Sequence, residues 1–181
     1  MGEYAINRLG PDSFADVLAL QEQAFAAYAG RTAWLRRNTP ELLAACLQPP
    51  HETLGAFAGL DLVAFIVLYV AGTDSENLGY LLGMTEEAEL ATVANAKLVI
   101  VHPDHRRRGL QRTLMRALEA TAHERGLALL AATAHPDNAA SIRALRSEGY
   151  QRIRSFPELY GSGPRDLYAK NIEGPTSHDS H

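Results

Sequence analysis

The stretch from Val93 to Ala134 constrains this chain most. An apolar run, Val93–Val101, ends at Pro103. A polar, arginine-rich segment follows, and Gly109 opens a run in which Leu110, Leu114, Ala117, Leu118 and Thr121 recur on one helical face. Gly126 stops that helix, and Leu127–Ala134 is again continuously apolar, as in a strand buried on both sides. Strand, helix and strand in this order form a unit that is parallel and crosses over right-handedly. The flanking sequence extends it in both directions. Tyr4–Arg8 reads as a first strand. Pro11, Asp12 and Ser13 start a helix whose face carries Phe14, Val17, Leu18, Gln21, Phe25 and Tyr28, with Gln21 the one polar member. Thr39 and Pro40 open a second helix as N-cap and first helical residue. Glu52–Ala58 and Leu62–Ala71 read as a hairpin around residues 59–61. Gly72–Glu89 is rich in Gly, Asp, Glu and Ser and reads as a long exposed loop, with a short helical turn at Thr85–Leu90. After Ala134 come a helix at Asn138–Glu148, ended by Gly149, and strands at Tyr150–Phe156 and Arg165–Asn171. The expected order is β-α-α-β-β-β-α-β-α-β-β, an α/β domain with a mixed sheet.

The 181 residues favour one domain, spanning 1–172, with the polar tail 173–181 expected to be disordered. Apolar residues make up 46% of the chain, enough for a core without disulfides. The single cysteine, Cys46, forms no internal bridge and reads as buried filler. A net charge of −4 argues against a nucleic-acid binder, and no apolar run reaches membrane-spanning length. The N-terminus lacks the basic start and apolar centre of a signal peptide. These features set the expectation of a cytoplasmic monomer or homodimer with neither nucleic-acid nor membrane partners.

Chemistry concentrates at Val101–Arg112. A buried strand runs out, three arginines follow, and a helix opens near Gly109. The first turn of a helix has amides without internal acceptors and the positive end of the helix dipole. Phosphate oxygens match such an end, a glycine there lets a ligand approach the backbone, and guanidinium groups add suitable donors. The segment therefore reads as a pyrophosphate site. Neither the G-x-x-x-x-G-K-[ST] nor the G-x-G-x-x-G nucleotide loop occurs in the chain. His102 and His105 flank Pro103 without a third ligand at suitable spacing, so no metal site is expected.

Two motifs together resemble the GNAT superfamily of N-acetyltransferases. The first is V-x-P followed by [QR]-x-x-G-x-[GA], here Val101-His102-Pro103 and Arg106-Arg107-Arg108-Gly109. Gln111 departs from it, standing where Gly or Ala is usual. The second is N-x-x-[SA] and a helix ending in G-[FY], here Asn138-Ala139-Ala140-Ser141 and Gly149-Tyr150. The resemblance is strongest over Leu98–Tyr150. It implies a mixed, mostly antiparallel sheet with a central parallel strand pair that splays, flanked by helices. It implies acetyl-CoA as acetyl donor and a primary amine, on a small molecule or a peptide, as acceptor. Amides of Arg107, Arg108, Gly109, Leu110, Gln111 and Arg112, with Arg106 beside them, would hold the pyrophosphate. Val99, Ile100 and Val101 would pair with the pantetheine arm as though it were a strand, and Asn138 and Ser141 would meet it from the other side. An amide near Ile100 would polarise the thioester carbonyl.

The resemblance also marks departures. Relatives often carry a tyrosine acid where this chain has Leu145, and some carry a glutamate base where it has Thr133. His135 is then the nearest titratable candidate base, or simply a loop histidine. Tyr160 is a candidate acid or substrate contact, or a surface aromatic. Asn138 and Ser141 could equally be a helix cap and a surface polar residue. Trp34 either lines the acceptor pocket or closes the core. Asp74, Glu76, Glu86, Glu87 and Glu89 suggest a cationic acceptor. No positioned nucleophile is visible, so attack by the amine would be direct. Loss of both usual proton-transfer groups leaves a second reading, a CoA-binding sensor without catalysis.

Overall fold

The computed structural model describes residues 4–28 and 34–172. The expected tail, 173–181, lies outside them. Strand β1 (Ala5–Leu9) leads through a 3-10 turn at Pro11–Ser13 into α1 (Phe14–Ala27), and α2 is Pro40–Cys46. The hairpin β2 (Glu52–Ala58) and β3 (Asp61–Tyr69) precedes a 3-10 segment at Leu78–Leu82 and a single helical turn, α3 (Glu87–Leu90). Next come β4 (Val93–Val101), α4 (Leu110–Glu124), β5 (Leu129–Ala134), α5 (Ala139–Ser147), β6 (Gln151–Phe156) and β7 (Arg165–Asn171). The seven strands form one sheet in the order β1-β2-β3-β4-β5-β7-β6. Every neighbouring pair is antiparallel except β4 and β5, which the α4 crossover makes parallel.

The two faces of β3 divide the core. Ala64, Ile66 and Leu68 face α4 and α5, among Leu110, Leu114, Met115, Leu118 and Leu145. Phe65, Val67 and Tyr69 face α1 and α2, among Val17, Leu20, Leu43 and Cys46. The local signals act as their chemistry requires. Thr39 accepts the Leu42 amide at 3.2 Å and caps α2. Gly59, at φ 65°, closes the β2–β3 hairpin in the left-handed region that glycine tolerates. Gln21, the polar interruption on α1, is fully buried. Its amide donates to the Asn38 carbonyl at 3.0 Å and accepts from the Asn38 backbone and side chain at 3.1 and 3.0 Å. It latches α1 to the segment before α2.

Two expectations need correction. Residues 72–89 are not a uniformly exposed loop: Leu78 and Gly79 are buried, and Leu78 packs with Val93, Ala131 and Leu167. Asn77 holds that turn, donating to the carbonyls of Gly72 and Leu90 at 2.6 and 3.0 Å and accepting the Gly79 amide at 2.8 Å. The strand expected from Leu127 begins at Leu129, because the Leu127 amide closes the end of α4 by donating to Ala122.

Helices α4 and α5 are tied by a buried carboxylate. Glu148 accepts from Arg112 Nε at 2.8 Å and from Arg116 Nε at 2.7 Å. Hydrogen bonding from Arg116, then Arg112, holds its carboxyl below the ordinary value of 4.5 against the opposing effect of burial. A group depressed in this way stabilises the fold fully above its unfolded-state value, and the contribution fades as pH falls through the lower folded value. Thermal melts between about pH 3 and pH 6 should therefore show a steeper loss of stability towards acid for the parent than for Glu148→Gln. Equal slopes would contradict this assignment.

Candidate functional site

The parallel pair stays together for three residues. Val93, Ala94 and Asn95 pair with Leu129, Leu130 and Ala131, and there the β4–β5 ladder stops. Beyond it β4 follows β3 as far as Val101 opposite Ala64, while β5 follows β7 as far as Ala134 opposite Asp166. Each strand keeps its antiparallel neighbour, and a wedge opens between them. A bulge sharpens the break. Phe65 lies opposite Ile100 and Val67 opposite Lys97, so two residues of β4, Leu98 and Val99, meet the one residue Ile66. Leu98 takes φ 57°, a conformation that costs a non-glycine residue about 1–2 kcal/mol. Val99, Ile100 and Val101 thus edge a gap in which no strand pairs with them on the β5 side. A cleft of about 820 Å³ fills the wedge and reaches both faces of the sheet.

One end of the cleft is the arginine loop. After a 3-10 turn at Pro103–His105, Arg106 is extended, Arg107 takes φ 62° and Gly109 takes φ 77°. Left-handed residues alternating with others turn successive amides inward, the backbone form of an anion nest. The first helical acceptor is Gly109 O, taken by the Thr113 amide at 3.0 Å. The amides of Leu110, Gln111 and Arg112 precede it, and Gly109 has no side chain to cap them. A Cβ on Gly109 would meet no atom within 4 Å, so its backbone angle, rather than crowding within the chain, requires glycine.

The arginine side chains differ. Arg106 lies 4.1 Å over the Tyr28 ring, with Nη2 buried and without a hydrogen-bond partner. Arg107 is exposed. Arg108 is exposed and reaches the Tyr4 hydroxyl at 3.5 Å, which also shares a hydrogen bond with His105 Nδ1 at 3.0 Å. The Arg112 side chain belongs to Glu148, which leaves its backbone as the part of it that can serve an anion. Across the gap, Asn138 caps α5 by accepting the Ser141 amide at 3.2 Å, and the Ser141 hydroxyl accepts from Gln111 at 3.4 Å. Both residues line the cleft. An orphaned guanidinium nitrogen, an anion nest and an uncapped helix converge at one mouth, and they fit a pyrophosphate.

The other end lies on the α1–α2 face. Tyr160, in the β6–β7 connection, lines it at φ 63°. Burial, then the Glu76 carboxylate, raises its hydroxyl above the ordinary value, against the opposing effects of Arg36, a hydrogen bond with Thr133, and Arg165. Trp34, Arg36, Glu76, Lys97 and Arg165 line the same end. Sequence reasoning had not singled out Arg36, Lys97 or Arg165. They come from three separate segments, and the one local signal was Lys97, a lone charge in an apolar strand. Of the five acidic residues expected to attract a cation, Glu76 alone lines the cleft.

His135 stands apart. It is buried, outside the cleft lining, and its Nδ1 accepts the Asp137 amide at 3.1 Å, a turn-forming contact. Leu145 is buried at the position expected to lack an acid. Cys46 lies in the α1–α2 core, where burial pushes its thiol up to about 11. Among the described residues no group of three or more His, Cys, Asp or Glu side chains is placed to hold a metal, and no helix is long and apolar enough to cross a membrane.

Solved structures share this architecture over nearly the whole chain. The ribosomal-protein-S18-alanine N-acetyltransferase of Escherichia coli aligns with a TM-score of 0.72 at 17% identity, covering 99% of this chain and 100% of that one. YncA of Salmonella typhimurium, solved with its cofactor acetyl-CoA, gives 0.70 at 20% identity, covering 98% and 99%. The GNAT domain of S. lividans PAT gives 0.69 at 21% identity, covering 92% and 89%. At these identities the likeness establishes the fold. No curated protein matches the chain significantly. The family match comes from the sequence itself: the Acetyltransferase (GNAT) family spans residues 15–150, three quarters of the chain and both motifs. The chain belongs to the GNAT acetyltransferase family.

Proposed function

We propose that this protein transfers the acetyl group of acetyl-CoA to a primary amine by direct attack. The observation that carries the proposal is the single cleft through the β4–β5 wedge, with an anion nest at one mouth and polar side chains at the other. A long thioester donor and an amine can meet in such a passage from opposite faces of the sheet.

In this reading the amides of Arg107–Arg112 bind the CoA pyrophosphate, with the buried Arg106 guanidinium beside them. Val99, Ile100 and Val101 offer the arm the pairing that β5 has abandoned, and Asn138 and Ser141 flank it. The bulge at Leu98–Val99 re-aims the backbone so that an amide near Ile100 polarises the thioester carbonyl. The neutral amine attacks that carbon, the C–S bond breaks, the thiolate takes a proton from the Tyr160 hydroxyl, and the attacking nitrogen sheds its extra proton, which through water restores that hydroxyl. Burial and Glu76 keep Tyr160 protonated through the neutral range, as an acid requires. His135 is assigned no proton transfer, because its position in the Asp137 turn keeps it out of the cleft. The ammonium proton passes to solvent before attack. No cysteine route competes, since Cys46 is buried in the α1–α2 core and does not line the cleft.

Incubation with acetyl-CoA and a panel of amines should release CoA thiol only when an amine is present. Tight CoA binding with no turnover on any amine would instead favour a CoA sensor. Arg106→Ala should weaken CoA binding by tenfold or more, about 1.4 kcal/mol, with an unchanged melting temperature. Parental affinity in that variant would refute the loop assignment. Tyr160→Phe should lower kcat by about 10²-fold with KM for acetyl-CoA unaltered; an unaltered kcat would remove Tyr160 as the acid.

A further inference from the structure

Gln111 stands where the motif has Gly or Ala, in the first turn of α4. Its backbone amide is one of those without an acceptor inside the helix. Its side chain does not point idly into solvent. Gln111 Nε2 donates to the Ser141 hydroxyl at 3.4 Å, and the Gln111 side chain makes no other hydrogen bond among the described residues. Ser141 is held from its own side, because its backbone amide donates to Asn138 Oδ1 at 3.2 Å in the cap of α5.

The topology makes this contact a bridge over the cleft. Helix α4 follows β4 and α5 follows β5, so the two helix N-termini stand beyond the ends of the two strands that part. Both helices pack on the same face of the sheet, and Gln111 and Ser141 both line the gap between them. A Gly or Ala at 111 has no side chain long enough to cross it. The bridge is also weak. At 3.4 Å it lies beyond the usual range of an N–H···O bond, and it joins two uncharged groups. A phosphate oxygen would offer the same N–H a charge-assisted acceptor, about twice as strong as a neutral one.

Resting on the acetyl-transfer reading above, we infer that the Gln111 side chain is a donor-binding group held across the mouth by Ser141, and that its amide moves from Ser141 to the pyrophosphate when the donor enters. In that reading the arm lies between Val99–Val101 and Ser141, which is the gap the bridge spans, so the donor cannot enter with the bridge closed. Nothing is left unpaired by the exchange. The Gln111 N–H passes from a hydroxyl to a phosphate oxygen, and the freed Ser141 hydroxyl meets the amide groups of the arm.

The test uses the intact protein with CoA, which carries both pyrophosphate and arm and needs no acceptor amine. By calorimetry, Gln111→Ala should bind CoA about tenfold more weakly than the parent. Gln111→Glu keeps a reach to the Ser141 hydroxyl but sets a negative charge beside the phosphates, and should bind more weakly still. A mere tie between helices would not move the second readout, the Gln111 side-chain amide resonance in isotope-labelled protein, assigned by its loss in either variant. CoA should shift it in the parent. Ser141→Ala should shift it in the free protein, and the parent and Ser141→Ala signals should converge once CoA is bound, since phosphate is then the partner in both. If Gln111→Ala does not fold, Gln111→Glu supplies the assignment and the Ser141→Ala comparison decides. Parental CoA affinity in Gln111→Ala, a resonance that CoA leaves unmoved, or signals as far apart with CoA as without it would overturn the inference and leave the acetyl-transfer reading standing. Failure of the parent to bind CoA would overturn both.

Discussion

Parallel pairing between β4 and β5 ends after Asn95 and Ala131, and the rest of the site follows from that. A parallel ladder is slightly weaker per residue than an antiparallel one. Both strands have antiparallel partners, β3 and β7, that hold them to their ends. Where these two pairings diverge, the weaker central one yields. The wedge leaves backbone groups of β4 without a strand neighbour, opens the cleft through the sheet, and sets the first turn of α4 at its mouth. A sheet paired to its end would have neither the passage nor the unsatisfied backbone.

Strain collects along the same line. Among the described residues, the non-glycine residues at positive φ are Leu98, Arg107 and Tyr160, and all three line the cleft. Such angles persist only where surrounding contacts fix them. Polar latches tie the elements around the cleft: Gln21 on Asn38, Asn77 on the Leu78 turn, Asn95 on Glu76, and Glu148 on α4. The core on either face supplies stability, and these latches supply position.

What could be read in the sequence was local. The β4-α4-β5 unit stood out because its apolar period changes from strand to helix and Gly126 punctuates it. The arginine loop stood out because three charges and a glycine lie together. Thr39, Pro40 and Asn138 announced their caps through their own side chains. The splay was implied by the family resemblance and by nothing in the strands themselves, since Val93–Val101 is apolar to its end. The acceptor wall was not legible for the same reason that it works. Arg36, Glu76, Lys97 and Arg165 converge from four segments, and no spacing encodes their meeting. Composition misled at Gly72–Glu89, where polar residues conceal Asn77 folding its own backbone inward around Leu78. It misled again over charge, because, of the five acidic residues, Glu76 alone lines the cleft, while Arg36 and Arg165, distant in sequence from the arginine loop, enter it. His135 shows the limit of proximity: it follows β5 directly, yet a turn hydrogen bond to Asp137 turns it from the cleft.

Amide hydrogen exchange with and without CoA tests the central claim most directly, because it reads the backbone groups themselves. Occupation of the wedge predicts slowed exchange at amides within Val99–Val101 and Arg107–Arg112, with the β2–β3 hairpin unchanged. Bound CoA that leaves both segments exchanging at their free rates would contradict it.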